Sequence, residues 1–304
     1  MKTYSELNAQ FAEAGKFLLI PGFELTTPNV HTNLLNVEEE FYLEEADNSA
    51  LVSKLYDRAW ELYEPKKRPW LFTVNHPLWQ YYNIQPSALI ARPEIRHVEL
   101  TNNSTEYGLF PEGWTPESFW DIVNAYRAAH DQPLLYATGT DDSHGVFRTD
   151  YLPFLGWMYV RAASLSPDAL FDAMNRGDSY VSTGLNFADV SFDGQTLAVK
   201  IDPKEEGEYR IEFYGTKKDY DPTAKLIDRP AEGKCPERLV ESYSPKIGQL
   251  LASVPGLEAS YTLKPDDLYV RAKAVKIGAG QVLIGPEYGH APIDNNAAWT
   301  QPYK

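Results

Sequence analysis

The sequence predicts an α/β domain built on a parallel sheet or barrel, followed by a small antiparallel β domain. Three observations carry that reading. Between residues 16 and 184, short apolar runs rich in branched side chains alternate with segments whose apolar positions recur at helical period, the grammar of buried strands and covering helices. After about residue 185 the runs alternate apolar with polar, as in Tyr209-Arg210-Ile211-Glu212-Phe213 and Tyr269-Val270-Arg271-Ala272-Lys273, which marks strands with one wet face. Several strands of the first part also end on a histidine or an acid. The expected units are residues 1–184 and 185–304.

The elements follow in order. Ser5 can cap a short helix with Leu7 and Phe11 facing inward and Gly15 ending it. The continuous apolar run within Lys16 to Thr27 predicts a strand buried on both faces, as in a parallel sheet, with Glu24 following it at the C-terminal end. A second strand, His31 to Val37, begins with a histidine. Leu51, Val52, Leu55, Tyr56, Ala59 and Leu62 draw one stripe on a helix over 48–64. Trp70 to Val74 is a buried strand ended by Asn75-His76-Pro77, and His97 to Leu100 is a shorter one. Thr115-Pro116-Glu117 opens a helix with cap and proline in favoured places. Pro133 to Thr138 is a strand that stops at Gly139. Residues 157–162 form a strand, Ser166-Pro167 starts a helix that Gly177 ends, and residues 179–184 return as a strand. Beyond them, short strands are expected at 187–193, 195–201, 208–214, 268–276 and 297–301, with residues 215–245 as a long loop.

Composition restricts the partners. A net charge of −15 leaves no basic footprint with which to displace counterions from a nucleic acid, and disfavours anionic membrane surfaces. An anionic substrate stays open, because bound cations reverse the local sign. The single cysteine, Cys235, excludes an internal disulfide and a thiolate metal cluster. No run of about 18 apolar residues is present to form a transmembrane helix.

Chemistry concentrates in Gly139-Thr140-Asp141-Asp142-Ser143-His144-Gly145. On an extended backbone Asp142 and His144 would face one point in space, as one metal ion or one reacting atom requires; a polar turn is the ordinary alternative. Glu24, His31 and His76 also sit at strand ends, where α/β folds place their sites. Each has an ordinary alternative too: a solvated loop acid, a histidine donating to a carbonyl, a satisfied turn histidine. Carboxylates and imidazoles without cysteine suit Zn, Mn or Fe. His97 begins a strand and reads as packing, and His130, at a helix end, as a dipole partner.

Gly22-Phe23-Glu24-Leu25-Thr26-Thr27, then His31, Asn75-His76-Pro77 and Gly139 to Gly145 resemble, in order, the later metal motifs of the PHP (polymerase and histidinol phosphatase) family. Residues 157–184 resemble the closing segment of its two-domain, phosphoesterase-like members. The resemblance implies a distorted (β/α) barrel followed by the small β domain, with divalent metals (Zn, Mn or Fe) at the barrel mouth. Glu24, His31, His76, Asp142 and His144 align with ligands; Asp141 is a neighbour. It implies a metal-dependent hydrolase in which metal-activated water attacks a small-molecule phosphoester. Asp142, His144 and Arg148 are the candidate catalytic residues; Arg148, shortly after His144, is a candidate phosphate contact, with a surface salt bridge as its ordinary alternative. Glu99 and Asn102 would orient a ligand or water. The family's N-terminal His-x-His strand has no counterpart before His31, so the chain is expected to be incomplete at its N-terminus. A cytoplasmic location is then the default, with export if a leader precedes. Rival expectations are hydrolysis of carboxylic ester, carbamate or amide bonds, or a non-catalytic ligand-binding remnant of the fold. The β domain is expected to cover the barrel's flank or to build a homo-oligomer, with Tyr269, Trp299 and Tyr303 as packing in preference to a sugar platform.

Overall fold

The computed structural model describes residues 2–28, 30–43, 48–78, 84–102, 115–143, 154, 156–203, 206–231, 237–279, 281–282, 293–294 and 296–304. His144, Gly145, Arg148, Cys235 and His290 lie outside the described residues. The chain is a mixed α/β protein rich in strand. Its helices are α1 (Tyr4–Phe11), α2 (Asn48–Tyr63), α3 (Pro86–Ile90), α4 (Pro116–Ala129) and α5 (Pro167–Arg176). No helix among the described residues is long and apolar enough to cross a membrane.

The first sheet has the order β1 (Gly22–Thr26), β2 (His31–Leu35), β3 (Leu71–Asn75), β4 (His97–Thr101), β5 (Tyr136–Gly139). β3, β4 and β5 run parallel, as expected of strands separated by helices. The expected parallel strand from residue 16 is corrected: Phe17 is half-exposed and precedes β1, which pairs antiparallel with β2. Only residues 27–30 separate the two strands, too few for a parallel crossover, and Thr27 closes the hairpin by accepting from Val30 N at 3.0 Å. β1 therefore shows water alternate side chains.

Helices α2 and α4 cover one face of this sheet. Leu51, Leu55 and Ala59 of α2 and Phe119 and Val123 of α4 pack on Leu34, Val74, Val98 and Ala137. Leu35, which follows Leu34, and Leu71, which precedes Phe72, point to the opposite face and meet Phe171 and Met174 of α5. Helix α4 has the predicted start, Thr115 accepting from Ser118 N with Pro116 in the first turn. Helix α1 differs from expectation. Thr3, not Ser5, caps it through a reciprocal bond with Glu6, and none of its residues is buried.

The remaining strands are β6 (Trp157–Val160), β7 (Ser179–Ser182), β8 (Asn186–Phe192), β9 (Thr196–Asp202), β10 (Tyr209–Lys217), β11 (Lys225–Arg229), β12 (Arg238–Ser242), β13 (Gln249–Pro255), β14 (Glu258–Thr262), β15 (Asp267–Lys276), β16 (Gln281–Val282), β17 (Ile293–Asp294) and β18 (Ala297–Thr300). An antiparallel sheet of order β13-β10-β15-β18-β7-β6 faces a three-stranded sheet, β14-β9-β8, over a core of Leu197, Ile201, Ile211, Phe213 and Ala272. Strands β6 and β7, expected to continue the first domain's alternation, pair instead within this sheet through β18. The expected loop 215–245 contains the hairpin β11–β12, whose mixed charged and apolar residues concealed it. Tyr269 and Trp299 are buried packing residues.

Several contacts among the described residues bind the halves together. Gln301 presents its side-chain amide to the outer edge of β5, accepting from Ala137 N at 2.8 Å and donating to Ala137 O at 2.9 Å, as a neighbouring strand would. Farther along, buried Arg271 of β15 forms a two-bond pair with Asp121 of α4 (2.8 and 2.6 Å), and Tyr269 donates to the same carboxylate. Glu117 completes the group by taking Arg271 at 2.9 Å and Lys273 at 2.7 Å.

Candidate metal centre

The end of β1, the start of β2 and the ends of β3, β4 and β5 share one edge of the first sheet, because β2 runs against its neighbours. Cross-strand register puts His31 opposite both Thr26 and Asn75, so the imidazole stands beside residues that follow or precede the two strand ends. The histidine that begins β2 thus reaches the same place as the one that follows β3.

Three of the sequence-predicted ligands meet there. Glu24, His31 and His76 each offer a donor atom, and these atoms lie within 4.8 Å of one another. His76 Nε2 is 2.9 Å from His31 Nδ1, and His31 Nδ1 is 3.4 Å from Glu24 Oε1. Donors held about 2.1 Å from one ion in an octahedral or tetrahedral shell stand roughly 3.0–3.4 Å apart, so these spacings fit a divalent cation. Nothing in the donor set argues against one: a carboxylate and two imidazoles match a borderline metal.

Surrounding groups hold the ligands in place. Glu99 of β4 receives both the backbone N–H of His76 (2.8 Å) and its ring Nδ1 (2.9 Å), which turns Nε2 toward the cluster. This is the carboxylate–histidine arrangement that fixes a metal-ligating imidazole. Asn102 donates to Glu99 at 2.8 Å and reaches Asp142 at 3.5 Å. Thr140 donates to the other Glu99 oxygen. An irregularity in the β4–β5 register falls beside Glu99, the kind of local kink that re-aims a side chain near a site. Asn75 gives Glu24 a 2.8 Å bond, while its own Oδ1 is buried without a hydrogen-bond partner among the described residues.

Two cluster residues sit on unfavourable backbone. His76 has φ +25° and Asp142 φ +45°, the left-handed region that costs a non-glycine residue about 1–3 kcal/mol. Strain of this kind persists where the surroundings over-determine it. For Asp142 it also corrects the expected extended geometry: β5 stops at Gly139, and the acid lies in the irregular segment beyond it. Gly139 is required at that stop, since a β-carbon there would lie 2.6 Å from Val181. Asp141 does different work, accepting the backbone N–H groups of Phe154 (2.7 Å) and Gly156 (2.8 Å) and so tying the following segment to this one.

Electrostatics follow the geometry. Burial pushes the Glu24 carboxyl up, but bonds from His31 and Asn75 and the nearby imidazoles outweigh it and hold the group at about 2. Burial pushes His76 down, and the Glu99 bond together with the charges of Glu99, Asp142 and Glu24 outweighs it, raising the imidazole above its ordinary value. His97 lies away from the cluster, buried with Nε2 3.4 Å from Met174 O, and burial lowers it to about 4. His130 stacks on Tyr126 at the end of α4.

Sequence reasoning reached Glu24, His31, His76 and Asp142 from their places at strand ends, and Glu99 and Asn102 as orienting groups. It missed Asn75 and Thr140, whose types are common at strand ends and carry no distinguishing pattern. His144 and Arg148 lie outside the described residues.

No protein-family model matches the sequence, and no curated protein matches it. Among solved structures, one similar chain is a two-domain protein from Bacteroides vulgatus described as containing a "predicted PHP-like metal-dependent phosphoesterase". It shares 18% identity over 81% of this chain and 75% of its own length, with a TM-score of 0.37.

Proposed function

We propose that this chain is a metal-dependent hydrolase of phosphate esters, with a PHP-type site assembled along the β1–β5 edge. The observation that carries the reading is the convergence of Glu24, His31 and His76, with donor spacings that fit one divalent ion and with Glu99 fixing His76 from behind. In the proposal Glu24, His31, His76, Asp142 and His144 hold divalent ions of the Zn, Mn or Fe type. Such ions supply a Lewis acid for the phosphate oxygens and lower the pKa of water near neutrality.

The chain's own residues have separate tasks. Glu24 stays ionised far below neutral pH and so offers a carboxylate under all working conditions. Glu99 keeps the His76 proton on Nδ1 and the Nε2 lone pair toward the site. Asn102 bridges Glu99 and Asp142 and keeps the second acid near the first group of ligands. Arg148 is proposed as a phosphate contact. The division at residue 184 and the barrel arrangement belong to the same proposal.

Metal analysis and turnover test it. Purified protein is expected to retain a transition metal and to hydrolyse an aryl phosphate, with both lost on His76→Ala and activity lost with chelator. Protein that takes up no metal from Zn, Mn or Fe solutions would sink the reading. Turnover of aryl acetates but not aryl phosphates would move it to carboxylic esters.

A further inference from the structure

The opposite edge of the first sheet carries a crevice of about 430 Å3. Leu71 and His97, the first residues of β3 and β4, line it, whereas the metal cluster lies past the last residues of these strands. Five-residue strands separate the two places by about 13 Å, so the crevice is distinct from the candidate metal centre. Its volume lies in the range of small-molecule sites, which run to roughly 300–1,000 Å3.

One wall is aromatic. Tyr56 and Trp60 of α2 and Trp70 before β3 touch one another, with ring centroids 5.9–6.3 Å apart. Tyr56 is buried and anchors the group, but Trp60 is 48% exposed despite having a neighbouring apolar wall. The other wall is cationic. Lys67 forms no ion pair among the described residues, and Arg96 forms none there either: it donates to the carbonyls of Leu134 (3.0 Å) and Asn175 (3.4 Å) and lies over the Tyr136 ring. The two acids on the lining are Glu64 and Glu94, and Glu94 shares the Arg92 guanidinium with Asp57, each at 2.5 Å. The third cation, Arg68, is held by Asn36 and Glu38. His97 closes the floor as a buried imidazole with Nε2 3.4 Å from Met174 O and no ion pair among the described residues.

We infer that this crevice is a second binding site, for a planar aromatic anion, whose ring stacks on Trp60 and Trp70 and whose negative group meets Lys67 and Arg96. Indole and phenol rings prefer offset or edge-on partners, and a guanidinium or ammonium beside the ring fixes the orientation of an attached carboxylate or phosphate. The anion can be a ring carboxylate or a base carrying phosphate, and both offer the same chemistry to the site.

Calorimetric titration in chelator-containing buffer separates this site from the metal centre. The probes are indole-3-acetate, AMP and uncharged indole. At least one anion is expected to bind at one per chain and about tenfold more tightly than indole, a margin that one stacked, charge-assisted contact supplies. The stronger anion identifies the source. Trp60→Ala is expected to weaken it about tenfold, and Lys67→Glu several-fold; a cooperative thermal unfolding transition confirms that each variant is folded, Lys67→Glu with a midpoint near that of the parent because Lys67 is exposed and Trp60→Ala with a lower one because Trp60 packs on Tyr56 and Trp70. The inference is overturned if neither anion saturates below about 10 mM, if indole binds as well as the anions, or if Trp60→Ala leaves the affinity unchanged.

Discussion

Two charged clusters divide the labour of this molecule. The group between α4 and β15 is balanced: Asp121 and Glu117 face Arg271 and Lys273, every charge within bonding reach of an opposite one. The group at the β1–β5 edge is not. Glu24, Glu99 and Asp142 are gathered around two imidazoles, with two of the five residues on left-handed backbone. A balanced cluster satisfies itself and reads as architecture. An acid-rich one, held together against its own repulsion and strain, reads as a place prepared for a cation.

The largest effect should come from breaking the balanced cluster. Arg271→Met leaves two buried acids without their main partner and is expected to cost about 3–5 kcal/mol, read as a lower urea midpoint. Adding Asp121→Leu should recover part of that loss, because a buried pair removed whole is less damaging than one removed by half. The comparable cut at the other cluster should behave in the opposite way. Glu99→Gln is expected to weaken metal binding about 10–100-fold, read by competition with a fluorescent chelator. It should move the metal-free urea midpoint far less than Arg271→Met does, since it removes one of the excess negative charges. Equal destabilisation by both variants would erase the distinction between the two clusters.

A smaller effect is the acid response of the balanced cluster. Burial raises the Glu117 carboxyl, yet the charges of Arg271 and Lys273 outweigh this and hold it at about 2 in the folded chain, below its ordinary 4.5. A group depressed on folding lends stability that is complete above its unfolded pKa and lost as the pH falls through the folded one. Stability should therefore fall between about pH 4.5 and pH 2, and Glu117→Gln should flatten that part of the curve measured by thermal unfolding.

The unequal legibility of these clusters has a physical cause. The acid-rich one was readable because its members sit where apolar runs stop: Glu24 beside Thr26, His31 at the head of β2, His76 after Asn75, Asp142 after Gly139. Strand ends are local features, and chemistry-bearing side chains stand out against them. The balanced cluster unites residues 150 positions apart in sequence, Asp121 and Arg271, on elements whose patterns say only helix and strand. Strand pairing was hidden for the same reason. The apolar run before Glu24 has the composition of a buried strand, and only the short turn at residues 27–30 reveals that β1 folds back on β2. Residues 157–184 have α/β grammar, yet β18, far downstream, claims β7 as a sheet partner.

The amide of Gln301 on the edge of β5 has a consequence for the order of assembly. Ala137 and Gln301 are 164 residues apart. A chain leaving the ribosome can lay down β1 to β5 early, but the β5 backbone at Ala137 stays without this partner until nearly all of the described sequence has been synthesised. Contacts that span so much chain form late and slowly. The first sheet thus waits, with one seam open, for a residue 164 positions downstream to act as its latch.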